Sequence, residues 1–149
     1  MMKHVLLLLT ALCAGGLLPI QGALNADLSK NLNHPLQASF ISFLGALIAI
    51  VVVLVLIRPE IPSVAMLKST RAINFTGGIF GVVFVTMILV LAPKIGIANT
   101  LIAAIVGQMI VSVILDHFGL LGLRPHPASI MRMLGCVGLL VSLFLVQKT

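Results

Sequence analysis

The stretch from Gly107 to Gly122, GQMIVSVILDHFGLLG, places an amide, a carboxylate and an imidazole in an otherwise apolar segment. These side chains belong to Gln108, Asp116 and His117. An amide can bind a polar solute, whereas a carboxylate or an imidazole can form ion pairs or exchange protons. Inside a lipid bilayer each of these groups costs free energy unless it finds a partner. Their meaning therefore depends on whether the surrounding chain lies in a membrane.

The composition is typical of an integral membrane protein. Of the 149 residues, 60% are hydrophobic and only 8% are charged, whereas about one-quarter of the residues in soluble domains are charged. The charges leave four uncharged runs: His4 to Ala26, Pro35 to Ile57, Ala72 to Pro93 and Ile95 to Leu115. Each run can cross a hydrocarbon core as a helix, which takes roughly 20 residues. A fifth run, Pro127 to Gln147, contains Arg132 near its start, where a long cationic side chain can reach the head groups.

We therefore predict an all-α integral membrane fold with five transmembrane helices. They cover about residues 4–26, 36–57, 72–92, 95–117 and 127–147, in a single transmembrane domain over 1–149. Lys3 and the apolar run after it also resemble a signal peptide. A retained helix is preferred, because the run continues without a convincing small-residue cleavage site.

The net charge of +6 is dispersed over short loops and forms no basic stripe, which argues against a nucleic-acid partner. When the sides of the membrane are numbered by alternation, six cationic residues fall on the side of the amino terminus and three on the other. The six are Lys3, Arg58, Lys68, Arg71, Arg124 and Arg132; the three are Lys30, Lys94 and Lys148. This small excess favours a multi-pass protein with a cytoplasmic amino terminus, and leaves dual topology open.

The sequence contains no pattern typical of an enzyme. Cys13 and Cys136 both fall inside predicted spans, and their spacing suggests neither a metal site nor a redox pair. No phosphate-binding loop, catalytic triad or metal-ligand cluster is present in the sequence. We predict neither catalysis nor a cofactor nor a metal.

In the first predicted helix, Pro19 lacks an N–H and crowds the carbonyl group of Gly15, so we expect a kink there. Gln21 and Asn25 follow four residues apart, on one face of the helix. Both are candidate substrate-binding residues that could line a polar cavity beyond the kink. The alternative is that they bond a neighbouring helix. Cavity lining is preferred for Gln21, and packing for Asn25, which lies nearer the interface.

The fourth predicted helix carries the second pair of candidate substrate-binding residues. Gln108 lies near its centre and Ser112 follows one turn later on the same face. Asp116 lies at the carboxyl end, where the helix dipole disfavours an anion, so it should have a cationic partner. The candidates on that side are His117, His126, Arg124 and Arg132. A structural ion pair is preferred over a proton-coupling carboxylate, which stays open.

The third predicted helix carries Gly77 and Gly81, which form a small-x-x-x-small face. Close packing of another helix is the preferred interpretation, and room for a substrate is the alternative.

Several segments, in their order, carry a family resemblance. They are PIQGALN from Pro19, SFLG from Ser42, GGIFGVVF from Gly77, APKIG from Ala92, GQM from Gly107, LDHFGLLG from Leu115 and RMLG from Arg132. Together they resemble the half-size, five-helix family of unknown function within the bacterial drug/metabolite transporter superfamily. The resemblance implies that two five-helix units of opposite orientation assemble into a ten-helix inverted-repeat transporter. It also implies a cavity built chiefly from helices 1, 3 and 4 of each half, and it implies no particular substrate.

We therefore expect a small-solute transporter for a metabolite or drug-like molecule, working by alternating access as an antiparallel homodimer or with an oppositely oriented homologue. An odd number of spans agrees with this, because a second copy completes an inverted repeat only by inserting upside down. Glu60 falls in a loop, and the chain contains neither Trp nor Tyr, so a neutral or zwitterionic solute fits better than an organic cation. The alternatives are a non-transporting membrane subunit or a channel-like component acting with a partner protein.

Overall fold

The computed structural model describes residues 2–148, which form helices and no β-strand. The α-helices are α1 (Met2–Lys30), α2 (Pro35–Ile57), α3 (Val64–Ser69), α4 (Gly77–Ile95), α5 (Ile97–Phe118) and α6 (Ile130–Val146). Two 3-10 turns, Ala72–Thr76 and Leu120–Gly122, precede α4 and follow α5. The predicted all-helical class is confirmed.

Four helical segments are long and apolar enough to cross a membrane. They are Met2–Lys30, Pro35–Ile57, Ala72–Ile95 and Ile97–Phe118. The last helix, Ile130–Val146, is apolar but has 17 residues, so its length is about 26 Å at 1.5 Å per residue. That length is at the lower end of what a bilayer requires. The structure thus supports four spans by length and composition, and the fifth stays a prediction.

The break between the third and fourth predicted spans lies at Gly96 and not at Lys94, where the sequence places it. The charge of Lys94 ends the uncharged run, but α4 continues through Pro93 and Lys94 to Ile95. A lysine in the last turn is favoured by the helix dipole and can reach the head groups, so it need not end a helix. Gly96 ends it instead, with φ 85° and ψ 152°, a conformation that residues with a Cβ rarely adopt.

Gly96 also begins α5. Its N–H donates to the Ala92 carbonyl group at 2.9 Å, and its own carbonyl group accepts from the Thr100 N–H at 3.1 Å. The hydroxyl group of Thr100 donates to the same carbonyl group at 2.7 Å. One residue therefore separates the two helices.

The short helix α3 was not predicted. It begins after Ser63, whose hydroxyl group accepts from the Met66 N–H at 3.3 Å. Every residue from Leu44 to Phe75 is exposed, so α3 and its flanking segments make little contact with the rest of the described chain.

Backbone contacts divide the chain into two compact units, one up to Val90 and one from Leu91. In the first unit α1 packs on α2, with Asn25 and Ala38 among the buried residues. In the second unit α5 packs on α6. The helix α1 is continuous through Pro19, and the kink expected there stays a prediction.

Candidate functional site

Asn25 joins α1 to α2. Its Nδ2 atom donates to the Ser42 hydroxyl group at 3.0 Å, and the residue is only 7% exposed. A buried amide with a partner on the neighbouring helix has its hydrogen-bonding demand met inside the unit. The structure therefore places Asn25 in helix packing rather than on an open surface.

A second polar contact joins α2 to α4. The hydroxyl groups of Ser39 and Thr86 lie 3.0 Å apart, and Ser39 is 2% exposed. The sequence analysis placed no candidate residue on the second helix and did not predict this pair. The available signal was the small residue Ala38 beside Ser39, since a fully buried alanine allows helices to approach closely.

Only one of the two predicted packing glycines contacts another helix. A Cβ added at Gly81 would lie 3.5 Å from the Phe43 ring, which is ordinary van der Waals contact. A Cβ at Gly77 would meet nothing within 4 Å. Gly81 therefore lies against α2 without being required there, and Gly77 lies at the open end of α4.

Gln21 has a different environment from Asn25, although the two share a face by spacing. Every residue from Met2 to Gln21 is exposed. Within residues 2–148 the Gln21 side chain makes no hydrogen bond, whereas its neighbour Gly22 is buried. Gln21 lies about 14 Å along the helix axis from the Lys30 end of α1, at 1.5 Å per residue. The amide group is thus presented deep in the span without a partner.

Gln108 and Ser112 repeat this arrangement on α5. Both are exposed, and neither side chain hydrogen-bonds to any described residue. Gln108 lies near the middle of the 22-residue helix. Gly107 beside it has no atom within 4 Å of where a Cβ would stand. The middle of α5 therefore carries an open polar surface.

The carboxyl end of α5 is joined to the start of α6 by an ion pair. The Arg132 Nη1 atom donates to Asp116 Oδ2 at 3.2 Å, and each side chain is 38% exposed. Ser129 caps α6 by accepting from the Arg132 N–H at 3.3 Å, which puts Arg132 in the first turn of α6. The structure brings these two predicted residues together.

Backbone bonds reinforce that junction, which we call the α5–α6 clasp and define as residues 116–132. The Asp116 carbonyl group accepts from the His126 N–H at 2.7 Å. The His117 Nδ1 atom accepts from the Ala128 N–H at 3.0 Å. His117 also packs edge-on against Phe118, with ring centroids 4.7 Å apart.

Arg124, a further candidate partner of Asp116, forms no ion pair within the part of the chain that is described. Its carbonyl group lies 2.9 Å from His126 Nδ1. His117 and His126 therefore bond to the backbone of the clasp, and among residues 2–148 Arg132 is the residue that forms an ion pair with Asp116.

Asn99, near the start of α5, is a polar residue that sequence analysis did not single out. Its Nδ2 atom donates to the Ile95 carbonyl group at 2.8 Å. Its Oδ1 atom is buried and has no hydrogen-bond partner among residues 2–148, which is unusual for a buried acceptor. The sequence offered no signal, since an asparagine in the first turn of a helix ordinarily suggests only capping.

A cavity of about 590 Å³ lies at the connection between α1 and α2. Amide side chains of Asn31, Asn33 and Gln37 line it beside apolar residues. Gln37 Oε1 accepts from the Asn33 N–H at 3.1 Å, so part of this polarity shapes the loop. No group of three potential metal ligands is found among the described residues.

The sequence was also compared with known proteins. Residues 6–145 match a family described as "Putative inner membrane exporter, YdcZ". No curated protein and no solved structure gives a significant match.

Proposed function

We propose that this chain, which belongs to the family described as "Putative inner membrane exporter, YdcZ", carries a small neutral or zwitterionic solute across the bacterial cytoplasmic membrane. Membership supports a role in membrane transport rather than catalysis. The residues proposed to contact the solute are Gln21 and Gln108, with Ser112 beside the second.

One observation carries this proposal. The Gln21 and Gln108 side chains lie deep in their helices, are exposed, and have no hydrogen-bond partner among residues 2–148. An amide group facing hydrocarbon without a partner costs about 2 kcal/mol or more. The cost is avoided when the surface faces a polar cavity instead of lipid.

A second copy in the opposite orientation supplies the missing wall of that cavity. With five spans the two termini lie on opposite sides of the membrane, so an inverted copy presents the same amides from the other side. Rocking between two mirrored arrangements then exposes the cavity to each side in turn. The long exposed stretch Met2–Gln21 of α1 offers surface for this association.

The test is ligand-induced thermal stabilisation of the purified protein across a library of neutral and zwitterionic metabolites. A ligand that binds only the folded protein at one hundred times its Kd stabilises by about 2.7 kcal/mol. We expect Gln108→Leu to fold and to lose the stabilisation given by any ligand found, and Gln21→Leu to weaken it. Both substitutions remove an amide that has no hydrogen-bond partner among residues 2–148.

Asn25→Leu is the matched control, because it removes an amide that does have a partner. We expect this variant to lower the melting temperature by about 2 °C, from a loss of about 0.6 kcal/mol. It should retain the response to ligand. Full ligand response in Gln108→Leu and Gln21→Leu, or loss of folding in both, would assign these amides to packing. The chain would then fit a non-transporting subunit better.

A further inference from the structure

An apolar groove of about 480 Å³ lies where the chain turns back at the end of α2. One wall is formed by Val51, Leu54 and Val55 of α2, and the other by Ile61 and Pro62 of the following loop. These side chains are exposed in the isolated chain, and Ile61 is 92% exposed. The groove is therefore open, and its exposed apolar side chains offer a surface that a hydrocarbon chain can cover.

Two opposite charges, Arg58 and Glu60, line the same groove on either side of Pro59. No ion pair joins them within residues 2–148, and both side chains are exposed. One cationic and one anionic group are therefore available to a ligand in the groove.

The backbone at Arg58 is unusual. Its φ and ψ angles are 50° and 52°, a left-handed conformation that is uncommon for any residue with a large side chain. The Arg58 N–H donates to the Leu54 carbonyl group at 2.8 Å and so closes α2. Glycine or asparagine is the usual residue at such a cap, so an arginine there suggests a role for its side chain.

The depth of this charge pair in the bilayer follows from the length of α2. The helix has 23 residues and spans about 35 Å, slightly more than a hydrocarbon core of about 30 Å. Arg58 follows the last helical residue directly, so it lies at the level of the lipid head groups when α2 crosses the membrane.

We propose that this groove binds one phospholipid whose head group carries both a phosphate and a primary ammonium group. The acyl chain lies between α2 and the loop, the Arg58 guanidinium group binds the phosphate, and the Glu60 carboxylate accepts hydrogen bonds from the ammonium group. A quaternary ammonium group has no N–H to donate, and a glycerol head group has no positive charge. The site therefore discriminates among lipids that share the same acyl chains.

Native mass spectrometry of the full-length protein tests the proposal. The protein is loaded with phosphatidylethanolamine, phosphatidylcholine or phosphatidylglycerol, all with the same acyl chains. We expect the wild type to retain phosphatidylethanolamine about tenfold more than phosphatidylcholine, a ratio that corresponds to about 1.4 kcal/mol. Arg58→Asn removes the charge but keeps a residue that tolerates the left-handed backbone, and should lower retention of all three lipids. Glu60→Gln should abolish the preference for phosphatidylethanolamine over phosphatidylcholine and leave phosphate binding intact.

Lys68→Gln is the control, because Lys68 is a cation of the neighbouring helix α3 that does not line the groove. It should leave the lipid ratios unchanged. Equal retention of phosphatidylethanolamine and phosphatidylcholine by the wild type, or a loss in Lys68→Gln as large as in Arg58→Asn, would overturn the proposal. If Arg58→Asn fails to fold, the ratio in Glu60→Gln decides the question alone.

Discussion

The α5–α6 clasp permits a sharp test of how the carboxyl end of α5 is stabilised. Gly119 ends α5 with φ 59° and ψ 36°, and its N–H donates to the Asp116 and Leu115 carbonyl groups. A Cβ added there would lie 2.7 Å from Pro125 Cγ and 3.2 Å from the Leu123 carbonyl oxygen. The substitution Gly119→Ala therefore adds both a strained backbone and a steric clash.

The two costs can be estimated separately. A left-handed conformation costs a residue with a Cβ about 1–2 kcal/mol. Forcing an extra methyl group against a proline ring and a backbone oxygen costs about 1–3 kcal/mol. Together they predict a loss of about 3 kcal/mol in the free energy of unfolding. For a chain of this length, such a loss lowers the melting temperature by about 9 °C.

Far-ultraviolet circular dichroism of the purified protein can measure this loss during heating, and the absence of Trp and Tyr from the sequence does not affect that signal. Gly107→Ala is the matched control in the same helix, since a Cβ there meets nothing within 4 Å. That variant should be neutral or stabilised, because alanine has the better helix propensity by about 1 kcal/mol.

A double-mutant cycle separates the clash from the backbone strain. Pro125→Ala removes the ring atoms that Gly119→Ala would strike, so the double variant should recover about 1 kcal/mol relative to additivity. A melting temperature for Gly119→Ala equal to that of Gly107→Ala would refute the geometry of the clasp. Strict additivity with Pro125→Ala would show that strain alone is responsible.

Two further predictions concern charge. Asp116→Asn should lower the free energy of unfolding by about 1 kcal/mol or less, because both side chains of the ion pair are partly exposed. Thermal unfolding measures this loss. An unchanged melting temperature together with an altered pH response of transport would instead make Asp116 a coupling group. Adding lysines beside Lys30 and Lys94 while removing Lys68 and Arg71 should turn the amino terminus outward. Cysteine labelling at both termini in cells reports the orientation. Chains forced into a single orientation should be poorly active alone and active when the two forms are co-expressed. The antiparallel dimer would be contradicted if the wild-type chain were found in one orientation only, without an oppositely oriented partner.

Hydrophobicity predicts the helices well because the bilayer requires long uncharged helical runs. It predicts their ends less well, as α4 shows. Lys94 interrupts the apolar run, but the helix dipole favours it and only Gly96 changes the backbone direction. The short helix α3 was missed because six residues in an exposed loop have no periodic apolar face to detect.

The candidate site shows a different limit of sequence reasoning. Gln21 and Asn25 both carry amides and lie four residues apart on one face of a helix, so their spacing predicts the same environment for both. The structure separates them, since Asn25 donates to Ser42 and Gln21 is exposed. The neighbouring helix determines whether each amide has a partner. Ser42 lies opposite Asn25 because of the axial register of α1 against α2, which no local sequence pattern encodes.

The same distinction bears on how transport could be driven. The chain has three acidic residues, and none lies in the middle of a predicted span. Asp27 lies 3.6 Å from Lys30, Asp116 lies 3.2 Å from Arg132, and Glu60 follows the end of α2. A carboxylate that exchanges protons with a solute must be able to lose its cationic partner during the cycle. Asp116 can therefore act as such a group only when its ion pair with Arg132 opens. This agrees with the proposal that the solute is recognised by the amides of Gln21 and Gln108, which are exposed and have no hydrogen-bond partner among residues 2–148.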